Sequence, residues 1–154
     1  MEYIAGLYSD KLPLIITRPF NYTVIGQSEN YLLPKIVSHI RRSASVIELG
    51  NLNVARDFSD VRNVVKYYKY LLESPKAIGE TFNICSGKAY TLQDVINMAC
   101  EISGLELEIQ VNPAFVRENE VKMLLGDSQK LKSFEGDFPF ISLKETLSWM
   151  ILRE

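Results

Sequence analysis

The sequence predicts an α/β fold, and two observations lead to that prediction. Short apolar, β-branched runs typical of strands buried on both faces alternate along the chain with helical patterns of apolar residues. The helical patterns carry recognisable start and stop residues, so helices and strands follow one another throughout the chain. Such an alternation is typical of strands in mostly parallel sheets that are covered by helices.

The first predicted element is the end of a helix at 3–8. The run at 14–17 is apolar and β-branched, which predicts a strand buried on both faces, and a polar loop follows it at 21–30. Pro34 fits the first turn of a helix that runs to about Arg42.

Two short strands are predicted next, at 46–49 and 55–58. Ser59 or Asp60 can cap the helix that follows, and Pro75 ends it. The apolar residues of that helix, which we expect on its buried face, are Val61, Val64, Val65, Tyr68, Leu71 and Leu72.

The last third of the chain carries the clearest helix signals. A strand is predicted at 81–85, and a capping box at Thr91–Asp94 opens a helix that Gly104 stops. Alternating residues at 105–111 predict another strand. A second capping box, Ser142–Glu145, opens the final helix.

The composition narrows the classes of function. The chain has 154 residues, 17 Lys and Arg against 19 Asp and Glu, and a formal net charge of -2. This near-neutral charge gives no electrostatic reason to expect nucleic-acid binding. No apolar run reaches the roughly 20 residues that span a bilayer. Cys85 and Cys100 form no CxxC pair, and the start lacks a secretory signal, so we expect a cytoplasmic chain with buried thiols.

Several familiar catalytic patterns are missing from the sequence. It contains no G-x-G-x-x-G or Walker loop. His39 is its one histidine, and we expect it on a solvated helix face. With so few His and Cys residues we predict no metal site. Two close carboxylate pairs are too ordinary to predict a glycosidase: Glu118–Glu120 and Asp57–Asp60.

A set of polar residues is placed near the predicted strand ends. In open α/β sheets, ligands bind in the crevice beyond the carboxyl ends of strands. Two separated arginines and a lysine suit a diphosphate, because guanidinium binds phosphate oxygens in a fork, and a glutamate could accept hydrogen bonds from ribose hydroxyls. Surface salt bridges would explain the same residues equally well. The residues are Asn21, Lys35, Arg56, Arg117 and Glu120.

Several motifs in a fixed order resemble one enzyme family over nearly the whole chain. They are ITRPFNYT at 16–23, GQ at 26–27, LPKIV at 33–37, LGNL at 49–52, ARDFSDV at 55–61, GETFNICSG at 79–87, NPAFVR at 112–117 and NEVK at 119–122. They resemble the extended short-chain dehydrogenase/reductases, the NAD-dependent epimerase/dehydratase family, that act on nucleotide sugars. Within it they are most similar to the GDP-sugar branch, closest to the GDP-4-dehydro-6-deoxy-D-mannose reductases, with the related GDP-mannose 4,6-dehydratases as the near alternative.

The resemblance covers only the carboxyl-terminal, substrate-binding half of such an enzyme. It implies a Rossmann-type fold whose glycine-rich cofactor loop and catalytic Tyr-x-x-x-Lys helix are absent from this chain. We expect 1–154 to form a single unit, with 1–20 a remnant of the Rossmann domain. Tyr31 and Lys35 make a literal Tyr-x-x-x-Lys match, which we reject because Pro34 should disturb the helical turn between them. No catalytic residue is therefore assigned, and the isolated chain should be inert.

The resemblance also implies individual roles. Arg56 and Arg117 match diphosphate-binding arginines, Asn21 an asparagine at the sugar diphosphate and Glu120 a ribose ligand. Lys35 matches a lysine near the guanine base. Two further residues match positions beside the nicotinamide: Pro19 and Phe20. The implied partner is a GDP-sugar. The cofactor is NAD or NADP in full-length relatives, and we expect this chain alone to bind none.

Three expectations remain open at this level. Val24 and Ile25 stand where the family usually has Gly-Pro, so the loop there is expected to run differently. The strand at 14–17 should leave an open edge, which predicts self-association. A nucleotide-sugar epimerase fragment, a non-catalytic GDP-sugar-binding module and an interaction domain without a ligand are the alternative functions.

Overall fold

The computed structural model describes residues 2–135 and 140–153, and in these residues helices and strands alternate as predicted. The helices are α1 Glu2–Gly6, α2 Leu32–Arg41, α3 Val61–Leu72, α4 Leu92–Ser103, α5 Gln129–Glu135 and α6 Leu143–Leu152. The strands are β1 Ile16–Pro19, β2 Asn21–Thr23, β3 Val46–Leu49, β4 Ala55–Asp60, β5 Thr81–Ile84, β6 Ala89–Thr91, β7 Glu108–Val111 and β8 Met123–Leu124. The α/β prediction is confirmed.

The strands pair in three small sheets, mostly in parallel. β1 pairs with β5, and β3 pairs with β7, both in parallel. β4 carries three partners, since β2 and β8 run parallel to it and β6 runs antiparallel. Parallel pairing between strands distant in sequence requires helical crossovers, which the intervening helices supply.

Two apolar clusters lie between helices and strands. The larger cluster packs α2, α4 and α6 against β3 and β4, and its buried members include Ile36, Ile40, Ile47, Phe58, Val95, Ile96, Leu143 and Leu147. The smaller cluster joins α3, β5 and α5 through Val64, Tyr67, Leu71, Phe82, Ile84 and Leu131. The candidate site lies where residues of α2, β2, β3 and β4 line a common cleft.

The predicted buried face of α3 is only partly correct. Val64 and Leu71 are buried, but three of the apolar residues are exposed: Val65, Tyr68 and Leu72. Asn63 is buried instead, because its amide exchanges two hydrogen bonds with the backbone of Ile141, at 2.9 and 3.1 Å. A polar residue with both amide groups satisfied can be buried at little cost.

Two predicted helix starts and one predicted helix end are confirmed by their capping contacts. Thr91–Asp94 and Ser142–Glu145 both form reciprocal capping boxes. Gly104 ends α4 in the left-handed conformation at φ 71°, which glycine adopts without steric cost.

Asp60 caps α3 and also ties it to α6. It accepts hydrogen bonds from the Arg62 backbone and guanidinium and from the Thr146 hydroxyl, at 2.6–2.8 Å. Burial alone would raise the pKa of Asp60, but these hydrogen bonds hold that pKa below its usual range. The carboxylate therefore acts as a structural cap.

Strand β1 differs from the strand predicted at 14–17. It runs two residues later, and its residues are half-buried or exposed rather than buried on both faces. The physical reason is that β5 is the one strand paired with it among the described residues.

Within the described residues, no helix combines the length and apolar character needed to cross a membrane.

Exposed apolar side chains near β1 support the self-association that the sequence predicts. Tyr3 and Leu7 are among them, and they lie on and just after α1. Sedimentation velocity over about a tenfold range of concentration should show species larger than a monomer. A combined Tyr3→Glu and Leu7→Glu variant should shift the protein toward the monomer. Lys66→Glu, the control, changes the net charge by the same amount and should leave the distribution of species unchanged. A monomer at every concentration of the unaltered chain would contradict the prediction.

Candidate ligand-binding cleft

A cleft of about 990 Å³ lies between β2, α2, β4 and the segment 114–120. Six of the seven side chains singled out from the sequence line it: Phe20, Asn21, Lys35, Arg56, Arg117 and Glu120. The seventh, Pro19, does not line the cleft, because it is paired with Ile84 in the neighbouring sheet. Residues as far apart as Asn21 and Glu120 therefore share one hollow.

Glu120 lies between the two arginines of the cleft. One of its carboxylate oxygens accepts a hydrogen bond from Arg56 Nη2, and the other lies 4.0 Å from Arg117 Nη1. The side chains of Arg56 and Glu120 are only 14% and 21% exposed, whereas that of Arg117 is 82% exposed. Arg56 Nη1 also donates to the Ala55 carbonyl at 2.9 Å. Arg56 is thus fixed in the wall of the cleft, and Arg117 reaches into solvent at its rim.

The segment that carries Arg117 is held by the turn after β3. The Asn51 amide donates to the Arg117 carbonyl at 3.1 Å and accepts from the Arg117 N–H at 2.7 Å. Beside it, a Cβ on Gly50 would lie 2.1 Å from the Phe115 carbonyl oxygen, so only glycine permits this approach.

Asn51 had no role in the sequence prediction. The available signal was the Gly50–Asn51 pair after a strand, but its partner lies 66 residues later.

Lys35 lines the cleft beside an aromatic ring. Its ammonium donates to the Glu48 carbonyl at 2.6 Å and lies 4.4 Å from the centre of the Phe115 ring. His39, one turn later on α2, contacts the Lys35 carbonyl through Nδ1 at 2.8 Å. The prediction of a solvated His39 is wrong: it is half-buried and lines the cleft, because residues four apart share a helix face.

Asn21 and Asp57 connect the cleft to the scaffold. Asn21 Nδ2 donates to the Asp57 carbonyl at 3.1 Å, across the parallel β2–β4 pair. The Asp57 carboxylate is completely buried and accepts hydrogen bonds from the N–H groups of Ser86, Gly87 and Gly126, at 2.8, 2.9 and 3.4 Å. Asp57 therefore fixes two loops against β4 directly beside Arg56.

Phe20 lies over the same buried region. Its backbone N–H donates to the Ile84 carbonyl at 3.0 Å, and its ring approaches Gly126.

The neighbouring Cys85 is buried, and burial together with the Asp57 charge raises the pKa of its thiol to about 11. At neutral pH this thiol stays protonated, which makes it an unreactive packing group. Cys100 is only half-buried, in contrast to the buried thiol predicted.

The loop at Val24 and Ile25 avoids the strain considered from the sequence. Within the described chain, neither residue has positive φ, and the left-handed position of the loop is taken by Gly26 at φ 84°. Thr23 Oγ1 also donates to Gln27 Oε1 at 3.0 Å, which closes the turn. The β-branched residues therefore keep ordinary backbone conformations.

The structure corrects the reason given for setting aside the Tyr31–Lys35 match. Pro34 does not disturb α2, because it lies in the first helical turn, where a backbone N–H has no intrahelical partner to lose. Tyr31 instead precedes the helix as its extended N-cap residue. The Tyr31 side chain is exposed at the cleft rim, and the Lys35 ammonium is directed to Glu48.

Comparison with known proteins identifies the family. Residues 4–150 match the family model described as GDP-mannose 4,6 dehydratase. The chain belongs to this family. It is 37% identical over 151 residues to GDP-6-deoxy-D-talose 4-dehydrogenase of Aggregatibacter actinomycetemcomitans, covering 97% of this chain and 51% of that protein. It is 32% identical over 139 residues to GDP-6-deoxy-D-mannose reductase of Pseudomonas aeruginosa, covering 87% of this chain and 45% of the reductase.

Solved structures agree with this family assignment. A crystal structure from Burkholderia cenocepacia J2315, provisionally assigned as an epimerase, is 52% identical with a TM-score of 0.92, over 98% of this chain and 50% of that one. RMD from Pseudomonas aeruginosa, complexed with NADPH, is 26% identical with a TM-score of 0.88, over 98% of this chain and 52% of RMD. The resemblance to extended sugar-nucleotide dehydrogenase/reductases is confirmed. The chain spans about half the length of these two relatives and two solved structures.

Proposed function

We propose that this chain is the GDP-sugar-binding part of an NAD(P)-dependent sugar-nucleotide reductase, most similar to GDP-4-dehydro-6-deoxy-D-mannose reductase. The single observation that supports this most strongly is the shared cleft of Asn21, Lys35, Arg56, Arg117 and Glu120. The relatives at 37% and 32% identity are a GDP-6-deoxy-D-talose 4-dehydrogenase and a GDP-6-deoxy-D-mannose reductase. In this proposal 1–154 acts as one unit, with 1–20 belonging to the cofactor domain.

The geometry of the cleft suits a nucleoside diphosphate. Arg56 and Arg117 approach the same carboxylate from two sides, so a diphosphate in that position would meet both guanidinium groups. Lys35 and the Phe115 ring form a cationic and aromatic wall suited to a flat, polar base such as guanine. Asn21 offers an amide on the side of β2, where the sugar would lie. Binding energy from the remote nucleotide would then orient the sugar for reaction.

The cofactor role of this chain is limited in the proposal. The sequence contains no G-x-G-x-x-G loop, so we assign it no dinucleotide cradle. Phe20, in the cleft wall, is the residue that we place beside a nicotinamide held by residues outside this chain. When bound, NAD(P)H would supply the hydride for the 4-keto group of the sugar. In the proposal, this chain holds the nucleotide and positions the 4-keto carbon of the sugar for reaction.

A GDP-mannose 4,6-dehydratase or a nucleotide-sugar epimerase fragment is the second candidate. The matching family model is described as a dehydratase, and the structure at 52% identity is assigned provisionally as an epimerase. These enzymes share a nucleotide-binding task, so the cleft fits both candidates. A non-catalytic GDP-sugar-binding module would use the same residues.

Calorimetric titration with GDP-mannose tests the proposed ligand. We expect binding, and we expect Arg56→Ala and Arg117→Ala each to weaken it by about tenfold or more, because charge-assisted hydrogen bonds to phosphate are lost. Arg153→Ala, which removes an arginine packed on Trp149, should leave the affinity unchanged. Equal effects of all three substitutions, or no binding by the unaltered chain, would contradict the proposal.

The isolated chain should not catalyse the reduction. With NADPH and GDP-4-dehydro-6-deoxy-D-mannose we expect no oxidation of NADPH above background, because we assign it neither a proton donor nor a cofactor cradle. A full-length GDP-6-deoxy-D-mannose reductase provides the positive control. Turnover by the 154-residue chain would show that this part of the proposal is wrong.

A further inference from the structure

We infer that Glu120 is an internal competitor for the ligand phosphate and that it makes the cleft selective for diphosphates attached to a ribose. This inference rests on the proposed GDP-sugar site. A carboxylate and a phosphate offer guanidinium the same kind of oxygen acceptor. In the described structure, Glu120 already occupies that acceptor position on Arg56.

Both Nη groups of Arg56 already donate a hydrogen bond. Its Nη2 donates to Glu120, and its Nη1 donates to the Ala55 carbonyl. The Arg56 side chain is only 14% exposed, and Glu120 holds one of the two Nη groups of its fork. A phosphate that binds both Nη groups in a forked contact would therefore compete with Glu120 for Nη2.

Glu120 also lowers the net positive charge of the cleft. Arg56, Glu120 and Arg117 together carry one positive charge at rest, whereas the two arginines alone would carry two. The carboxylate lowers the attraction for any small anion, since a like charge placed close to a phosphate opposes its entry. Inorganic phosphate and pyrophosphate should thus be held weakly.

A displaced Glu120 carboxylate needs a new hydrogen-bond donor. Separating an enclosed ion pair is costly when one partner is left without a new contact. Pyrophosphate has no hydroxyl groups to offer Glu120 in exchange. A nucleoside diphosphate offers ribose hydroxyls next to its phosphates, and these can donate to the displaced carboxylate. Glu120 therefore lowers the affinity for bare anions more than the affinity for ligands that carry a ribose.

Parallel titrations with pyrophosphate and with GDP test this inference. We expect Glu120→Gln to bind pyrophosphate about tenfold more tightly than the unaltered chain, while GDP gains nothing or binds more weakly. Glu118→Gln is the matched control, because it removes the same charge from a neighbouring exposed position. Glu120→Asp keeps the charge but shortens its reach, and it should give an intermediate preference. Circular dichroism would check that each variant is folded.

The outcomes separate this inference from the proposed function. If the unaltered chain binds no GDP, the proposed function fails, yet the pyrophosphate titrations still report whether Glu120 blocks Arg56. A lower ratio of GDP to pyrophosphate affinity in Glu120→Gln supports the inference. Unchanged pyrophosphate binding in Glu120→Gln, or an equal change in Glu118→Gln, would overturn it.

Discussion

Asp57→Ala should lower the free energy of unfolding by about 3–5 kcal/mol, since buried donors left without an acceptor each cost on the order of 1–3 kcal/mol. The Asp57 carboxylate is completely buried and is held by the backbone N–H groups of Ser86, Gly87 and Gly126. Alanine would leave these three groups facing a small cavity. The loops after β5 and β8 would then lose their common attachment to β4.

The same substitution should also weaken ligand binding, because Asp57 lies between two residues of the cleft. Arg56 precedes it in β4, and Asn21 donates to its carbonyl. Urea denaturation measures the stability, and titration with GDP-mannose measures the binding. The stability of Asp57→Asn should lie between that of the unaltered chain and that of Asp57→Ala, because its amide oxygen still accepts while its amide NH₂ faces backbone donors. Asp10→Ala, at an exposed position, is the control, and equal stability of Asp10→Ala and Asp57→Ala would refute this prediction.

The sequence predicted those features that depend on residues close together in the chain. Thr91 and Asp94 are three residues apart, and the capping box they form follows directly from that spacing. Gly104 ends α4 for an equally local reason. The α/β class follows from the alternation of such elements, so it was predictable as well.

Features that depend on distant contacts were not predictable from one sequence. Asn63 is buried because the backbone of Ile141 meets its amide, and nothing in the pattern of α3 indicates that partner. Hydrophobic periodicity placed Val65 and Leu72 inside because it assumes that apolar residues face the core. Here they lie on the outer side of the helix.

The candidate site divides in the same way. Arg56, Arg117 and Glu120 were selected because their residue types and positions suit a nucleoside diphosphate. Their ion-pair arrangement, with Glu120 between the arginines, was not foreseen, because it depends on where the 114–120 segment folds against β4. Asn51 was missed for the same reason.

Gly50→Ala is expected to have the largest effect on the shape of the cleft. An added Cβ would lie 2.1 Å from the carbonyl oxygen of Phe115 and 2.5 Å from its carbonyl carbon. Both are backbone atoms, so no side-chain rotation can relieve the clash, and the segment must move. Overpacking of this kind costs about 1–3 kcal/mol in the free energy of unfolding.

The movement should reduce affinity as well as stability. Asn51 holds Arg117 through two hydrogen bonds, and the Phe115 ring lies 4.4 Å from the Lys35 ammonium, so displacing this segment disturbs the surroundings of both cations. We expect GDP-mannose to bind about tenfold more weakly or worse, as when a charged phosphate contact is lost. Gly6→Ala is the matched control, because its Cβ would meet no atom within 4 Å. If Gly50→Ala bound GDP-mannose as tightly as Gly6→Ala does, the position of Arg117 could not depend on the close packing at Gly50, and the cleft would have to bind its ligand without the 114–120 segment.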